Sequence, residues 1–130
     1  MAKIEGFCPT GVYDPPTYTQ GVKVTAAQTL LFLAGQVAYD KDGGVLHRGD
    51  FKAQAREALR ALKALVEAAG GTMESIVKVN TYVTDMRYRM DYGLVRTEFF
   101  PRKAPAATLV EVSALAHPDW LIEIEAIAVV

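Results

Sequence analysis

Residues 51–71, FKAQAREALRALKALVEAAGG, decide how the rest of the chain is interpreted. Their apolar side chains recur at helical spacing, Asp50 is a residue type that begins helices, and the pair Gly70 and Gly71 is typical of a helix end. We predict an amphipathic helix, because three to four apolar residues in every two turns form one face. Its predicted buried stripe is Phe51, Ala55, Leu59, Leu62, Val66 and Ala69.

Two segments with strand character precede this helix. GVKVT at 21–25 alternates between apolar and polar or small residues. TLLFLAGQV at 29–37 is instead a nearly continuous apolar run of the kind found in strands covered on both faces. The two segments predict a hairpin whose second strand is central in the sheet. Residues 1–20 are rich in proline and glycine, and they predict an irregular arm with little regular structure.

A strand, a helix and two further strands follow. SIVKVNTYV at 75–83 is rich in β-branched residues, and residues 84–100 begin at a capping signal and end before Pro101. Apolar segments near 107–112 and 121–129 predict the last two strands.

The element order is therefore β-β-α-β-α-β-β, which predicts an α+β fold with one mixed sheet and two helices on one face. Residues 1–130 are most simply a single domain, because this length suffices for a hydrophobic core. Apolar residues on the uncovered sheet face predict a homo-oligomer built on sheet faces.

Composition limits the classes of partner. The net charge is −1 and no stripe of Lys and Arg is present, so a nucleic acid partner is not expected. No apolar run is long enough to span a bilayer, and the N-terminus lacks a secretory pattern, which predicts a cytoplasmic protein with no membrane partner. The lone Cys8 cannot form an internal disulfide.

Side chains capable of chemistry are few. The chain has no CxxC, HExxH, P-loop or GxSxG motif, and His47 and His117 lie in polar, loop-like segments, so no metal site is predicted. Glu123 and Glu125 stand two apart in the final strand and share one face. They are either the solvated face of a half-exposed strand or carboxylates at a cleft that position water or relay a proton.

Several stretches together resemble the RidA/YjgF family of enamine and imine deaminases. They occur in family order from about residue 17 to the C-terminus, and the last two are the most specific. The stretches are YTQGV (18–22), AGQV (34–37), the helix at 53–71, SIVKVNTYVTDM (75–86), FF (99–100), PAATLVEV (105–112) and IEIEAIAV (122–129).

The resemblance implies a chorismate-mutase-like α+β fold and a homotrimer with three clefts at subunit interfaces. Family deaminases bind the carboxylate of a small enamine or imine through an arginine, and water hydrolyses the C=N bond to a keto acid and ammonia. No cofactor is implied. The implied partners are a small-molecule substrate or ligand and two further copies of the chain.

Three positions match the family's cleft: Tyr18 is its tyrosine, Gly35 its backbone position beside the substrate, and Glu123 its water-orienting glutamate. Ala107 stands where the family has the substrate-binding arginine, which removes a bidentate partner for a carboxylate. Arg102, a few residues upstream, is a candidate replacement in substrate binding.

Lys103 is a second candidate of the same kind. Ala34 and Gly93 also stand where active family members often carry serine and asparagine. The cleft is therefore expected to be less polar than in those members.

Two functions follow from these residues. The first is a deaminase acting on a non-standard substrate, with Glu123 as the catalytic residue. The alternative is a non-catalytic, small-molecule-binding or regulatory trimer that has kept the pocket and lost the hydrolysis. A ribonuclease activity, sometimes attached to this family, has little support from the charge pattern.

Overall fold

A computed structural model of the chain describes residues 2–100 and 104–130. These described residues form six strands and two α-helices. In chain order the elements are β1 (Lys3–Phe7), β2 (Gly21–Thr25), β3 (Leu30–Gln36), α1 (Phe51–Ala68), β4 (Ile76–Val83), α2 (Arg89–Phe99), β5 (Ala106–Glu111) and β6 (Ile122–Val129).

The main sheet has four strands in the order β3-β6-β4-β5. β4 and β5 are parallel, and the other two pairs are antiparallel. Both helices cover the same face, where alternate residues of β4 and β6 are buried beneath them. The predicted α+β class, with a mixed sheet and two helices on one face, is confirmed.

The hydrophobic core lies between this sheet and the helices. From β6 it takes Ile122, Ile124, Ala126 and Ala128, and from α1 it takes Leu59, Leu62 and Val66. The period of two in the strand and the helical period in α1 therefore converge on one apolar layer. None of the helices in the described part of the chain is long and apolar enough to cross a membrane.

The ends of α1 form as their residue types predict. The carboxylate of Asp50 accepts a hydrogen bond from the backbone N–H of Ala53 at 3.1 Å, and Gly70 adopts a φ of 89° just beyond the helix. The predicted stripe is wrong at Ala69, which is exposed because the helix has already ended there. Gln54, which was not predicted to be buried, is fully enclosed.

The N-terminal prediction is wrong for residues 3–7, which form β1, whereas residues 8–20 contain no helix or strand, as predicted. β1 pairs with β2 in a separate antiparallel sheet, with Ile4 opposite Val24. The alternation of Lys3, Ile4 and Glu5 is a strand signal that the nearby prolines obscured.

The predicted hairpin of β2 with β3 is also wrong, and β3 is an edge strand rather than a central one. Thr29 exchanges two backbone hydrogen bonds of 3.0 Å with Val130, which brings β3 against the end of β6 instead. Leu31 and Leu33 pack on the core, but Phe32 between them is 75% exposed. The apolar run predicts a strand covered on both faces, whereas the face of β3 that carries Phe32 is open.

Candidate functional site

Glu123 and Glu125 lie on the sheet face that the helices leave open, and they have different surroundings. The hydroxyl of Tyr82, on the neighbouring strand β4, donates a hydrogen bond to Glu125 Oε1 at 2.7 Å. This hydrogen bond, with partial desolvation and the charges of both glutamates, raises the pKa of Tyr82 above its ordinary value. Glu125 is therefore held in place by a side chain of the neighbouring strand.

Glu123 is half-buried and, among the described residues, has no hydrogen-bond or ion-pair partner. Its side chain lies against Gly35 of β3. A Cβ atom at position 35 would overlap Glu123 Oε2 and lie 2.8 Å from its Cδ. The structure thus brings two of the sequence-predicted site residues together, and the glycine leaves the space that the carboxylate occupies.

Tyr18 and Ala107 lie elsewhere, in a cavity of about 780 Å³ between α2 and β5. Ala107 is opposite Val79, whose side chain is in the core, whereas Glu123 is opposite Tyr82 on the open face. Residues 79 and 82 are an odd number apart in one strand, so their side chains are on opposite faces. Within one chain, the residues predicted for a single cleft therefore form two separate groups.

Two hydroxyl groups line the buried side of the cavity. The hydroxyls of Thr81 and Tyr92 are 2.7 Å apart and hydrogen-bonded, and both residues are buried. Burial raises the pKa of Tyr92, while the hydrogen bond to Thr81 and the nearby charge of Arg96 oppose that rise. Tyr92 is therefore a neutral hydroxyl over the ordinary pH range.

Sequence reasoning missed Arg96, which lines the same cavity and is only 9% exposed. A usable signal was present, because Arg96 follows Tyr92 by four residues and so lies on the same helical face. Gly93 also lines the cavity, where an added Cβ would meet no atom within 4 Å.

The remaining predicted site residues are less informative. Arg102 and Lys103 lie outside the described residues. Ala34 is exposed on the edge strand β3. His47 contacts Glu57, and in residues 2–100 and 104–130 no group of three or more His, Cys, Asp or Glu side chains is arranged to hold a metal ion.

The described residues thus form a small α+β protein with a cavity beside α2 on one side of its sheet and, on the other side, a carboxylate that has no partner among them. Residues 14–130 match the family model described as Endoribonuclease L-PSP. This match covers most of the chain, which therefore belongs to that family, the RidA/YjgF family.

Individual relatives support the same family assignment. The chain is 42% identical to a RutC family protein of Pyrococcus horikoshii over 111 residues, which is 85% of each sequence. A Rid family protein from Yersinia pestis, described as of unknown function, has a similar structure with a TM-score of 0.87, 28% identity and 98% of both chains covered. A Mycobacterium tuberculosis member of the YjgF/YER057c/UK114 family matches over the full length of both chains, with a TM-score of 0.68 and 29% identity.

Proposed function

We propose that this chain is an enamine or imine deaminase, which hydrolyses a small C=N compound to a carbonyl compound and ammonia. The observation that carries the proposal is the contrast between the two glutamates. Glu125 is bound by Tyr82, whereas Glu123 is free of partners among the described residues and lies beside a glycine. A free, half-buried carboxylate next to open backbone suits the orientation of a water molecule.

In the proposed reaction, an enamine first takes a proton from solvent at carbon and becomes the iminium ion. Glu123 accepts a proton from water while the water oxygen bonds to the iminium carbon, which gives a neutral carbinolamine. Glu123 then passes this proton to the amine nitrogen, the C–N bond breaks and ammonia leaves as the C=O bond forms, and the hydroxyl proton returns to solvent, which replaces the proton taken up in the first step. Atoms and charge balance without a cofactor or a metal.

We further propose that the working unit is a homotrimer. The two groups of site residues lie on opposite faces of one sheet, so a cleft containing both requires a second subunit. The open face also carries exposed apolar side chains, with Phe32 75% and Leu30 57% exposed. Burial of such a patch between copies is the expected way to remove it from water.

The substrate is expected to differ from that of family members that carry the arginine. Ala107 provides no guanidinium, and a hydrogen bond to a charged group contributes about 1.5–3 kcal/mol. Its loss lowers the affinity for a carboxylate bound at that position by roughly tenfold to a hundredfold. An RNA substrate is not favoured, because the net charge is −1.

The test is ammonia release from freshly generated 2-aminoacrylate and from a panel of other imines. Glu123→Gln should lower the rate constant of hydrolysis by roughly 10²- to 10⁴-fold, the usual contribution of general base catalysis. Glu125→Gln is the matched control, because its amide oxygen can still accept the hydrogen bond from Tyr82. Equal losses in both variants, or no loss in Glu123→Gln, would contradict the role of Glu123.

A second candidate function is ligand binding without hydrolysis. It is favoured by the small side chains at the cavity, where Gly93 and Ala107 leave space that larger residues would fill. Ala107→Arg separates the two functions. If only this variant releases ammonia, the natural protein is a binding protein; if the wild type is active, it is an enzyme with a different carboxylate partner.

A further inference from the structure

The two glutamates of β6 are turned toward opposite neighbours. In the main sheet, β6 lies between β3 and β4. The carboxylate of Glu123 lies against Gly35 of β3, whereas Glu125 Oε1 accepts the hydrogen bond from the Tyr82 hydroxyl of β4 at 2.7 Å. Residues two apart on one strand have Cα atoms only about 7 Å apart, so two glutamate side chains there can reach each other. The flanking strands therefore separate two carboxylates that the sequence places side by side.

The choice of Glu125 by Tyr82 does not follow from the strand register. Tyr82 is directly opposite Glu123, and Glu125 is opposite Asn80. The Tyr82 hydroxyl thus binds its diagonal neighbour, which is within the reach of an aromatic side chain. The hydrogen bond selects one of two carboxylates, and it leaves the direct cross-strand partner of Tyr82 without a partner among the described residues.

Few other ionisable side chains lie on these strands. β3 contains none, and β4 contributes Tyr82 and Lys78, whose Nζ donates to Thr108 Oγ1 at 2.9 Å on the side away from β6. On β6 itself the ionisable residues are Glu123 and Glu125. The hydrogen bond to Glu125, with partial desolvation and the charges of both glutamates, raises the pKa of Tyr82. Tyr82 therefore keeps its proton and remains a donor over the ordinary pH range.

We propose that Tyr82 is a positioning residue for the hydrolysis proposed above, on which this inference rests. By binding Glu125, it holds the second carboxylate on the β4 side of the strand, so that Glu123 alone meets water beside Gly35. Without this donor, Glu125 is free to turn toward Glu123. Two neighbouring carboxylates disfavour each other's ionisation, so one of them tends to hold a proton. A protonated Glu123 cannot accept a proton from water.

Tyr82→Phe removes the hydroxyl and keeps the ring. On an imine that the wild type hydrolyses, kcat should fall roughly tenfold with KM little changed, a smaller loss than in Glu123→Gln because the base is still present. Adding Glu125→Gln to Tyr82→Phe should restore most of the lost kcat, because a neutral amide does not compete for the proton. The control is Tyr88→Phe, which removes a tyrosine hydroxyl on the helical side of the sheet, where the ring stacks on Phe51, and should leave kcat unchanged.

The restored activity distinguishes positioning from a structural or direct role. If Tyr82 only supported the packing of the sheet, or if its hydroxyl touched the substrate, the second substitution would not recover kcat. A loss in Tyr82→Phe that Glu125→Gln fails to restore would therefore overturn the inference. So would a Tyr82→Phe protein that is as active as the wild type.

A second measurement does not depend on activity. Carbon-13 NMR of the tyrosine Cζ atoms follows the titration of Tyr82, and the signal missing in Tyr82→Phe identifies it. Glu125→Ala should lower the pKa of Tyr82 more than Glu123→Ala does, because the hydrogen bond to Glu125 is the largest cause of its rise. Equal effects of the two variants would contradict the pairing. The expected titration in a wild type that hydrolyses no imine would instead contradict the deaminase function, and with it the catalytic purpose of the pairing.

Discussion

Glu123 and Glu125 have the same residue type, strand and face, yet only one of them is available to a ligand. The difference comes from Tyr82, whose hydroxyl reaches Glu125 across the β4–β6 pair. The sequence shows that the glutamates share a face, because that follows from a period of two. Which of the two glutamates receives the Tyr82 hydrogen bond depends on the register between strands about 40 residues apart, and local sequence does not specify that register.

Gly35 provides a residue-scale test of the packing around Glu123. In Gly35→Ala, the new methyl group would overlap the carboxylate and force the Glu123 side chain to move. We expect the free energy of unfolding to fall by about 1 kcal/mol, at the low end for overpacking, because the obstructing group is the end of a flexible side chain. Chemical denaturation measures this change.

The control is the same substitution in a Glu123→Ala background. With the carboxylate removed, Gly35→Ala should cost little or become slightly stabilising, because alanine restricts the unfolded chain. A double-mutant cycle isolates the interaction between the two positions. If Gly35→Ala has the same cost in both backgrounds, the contact between Gly35 and Glu123 is not what limits side-chain size at position 35.

At the scale of elements, local signals identified both helices and the strands that follow α1. Asp50 caps α1 as its residue type indicates, and β6 alternates between core and open face. Apart from β1, which was not predicted, the main error concerns strand pairing. β3 was interpreted as central because apolar residues face both ways, but its outer face is open, and Phe32 there is suited to contact with another chain.

The sequence predicted a cleft with Tyr18 and Ala107 but missed Arg96 for the same reason. The cavity forms where α2 packs beside β5, and the spacing within each element does not show how closely the two approach. The position of Arg96 four residues after Tyr92 indicated a shared helical face. Its lack of a carboxylate partner among the described residues is a tertiary property that only the structure shows.

Gln54 connects α1 to two loops, and its loss tests an element-scale role. Its Nε2 donates to the carbonyls of Leu46, His47 and Asp119 at 3.2, 3.3 and 2.8 Å, and its Oε1 accepts from the N–H of Leu121 at 2.9 Å. Gln54→Leu keeps the volume but leaves these backbone groups without their partner.

We expect Gln54→Leu to lower the free energy of unfolding by about 2–4 kcal/mol, since several buried polar groups lose hydrogen bonds together. Thermal or chemical denaturation gives the value. Arg60→Gln on the exposed side of the same helix should change it by less than about 0.5 kcal/mol. A loss below 1 kcal/mol in Gln54→Leu would mean that water replaces the amide, and that the loops do not depend on Gln54.

At the scale of the whole molecule, the open sheet face is the strongest indication of self-association. Phe32 and its cross-strand partner Ile127 lie on the same sheet face as Glu123 and Tyr82, so burial of this face would also enclose the proposed catalytic carboxylate. If three copies bury this face, a substitution that disrupts the interface should abolish both assembly and activity. Phe32→Glu tests this, because a carboxylate buried without a partner strongly opposes association.

Sedimentation velocity should show a trimer for the wild type and a monomer for Phe32→Glu, with ammonia release lost in the variant. Leu65→Glu is the matched control, since Leu65 is 40% exposed on the helical layer and the same charge there should leave the trimer intact. A Phe32→Glu protein that stays trimeric would show that the copies associate through another surface, and the cleft would then have to be sought there.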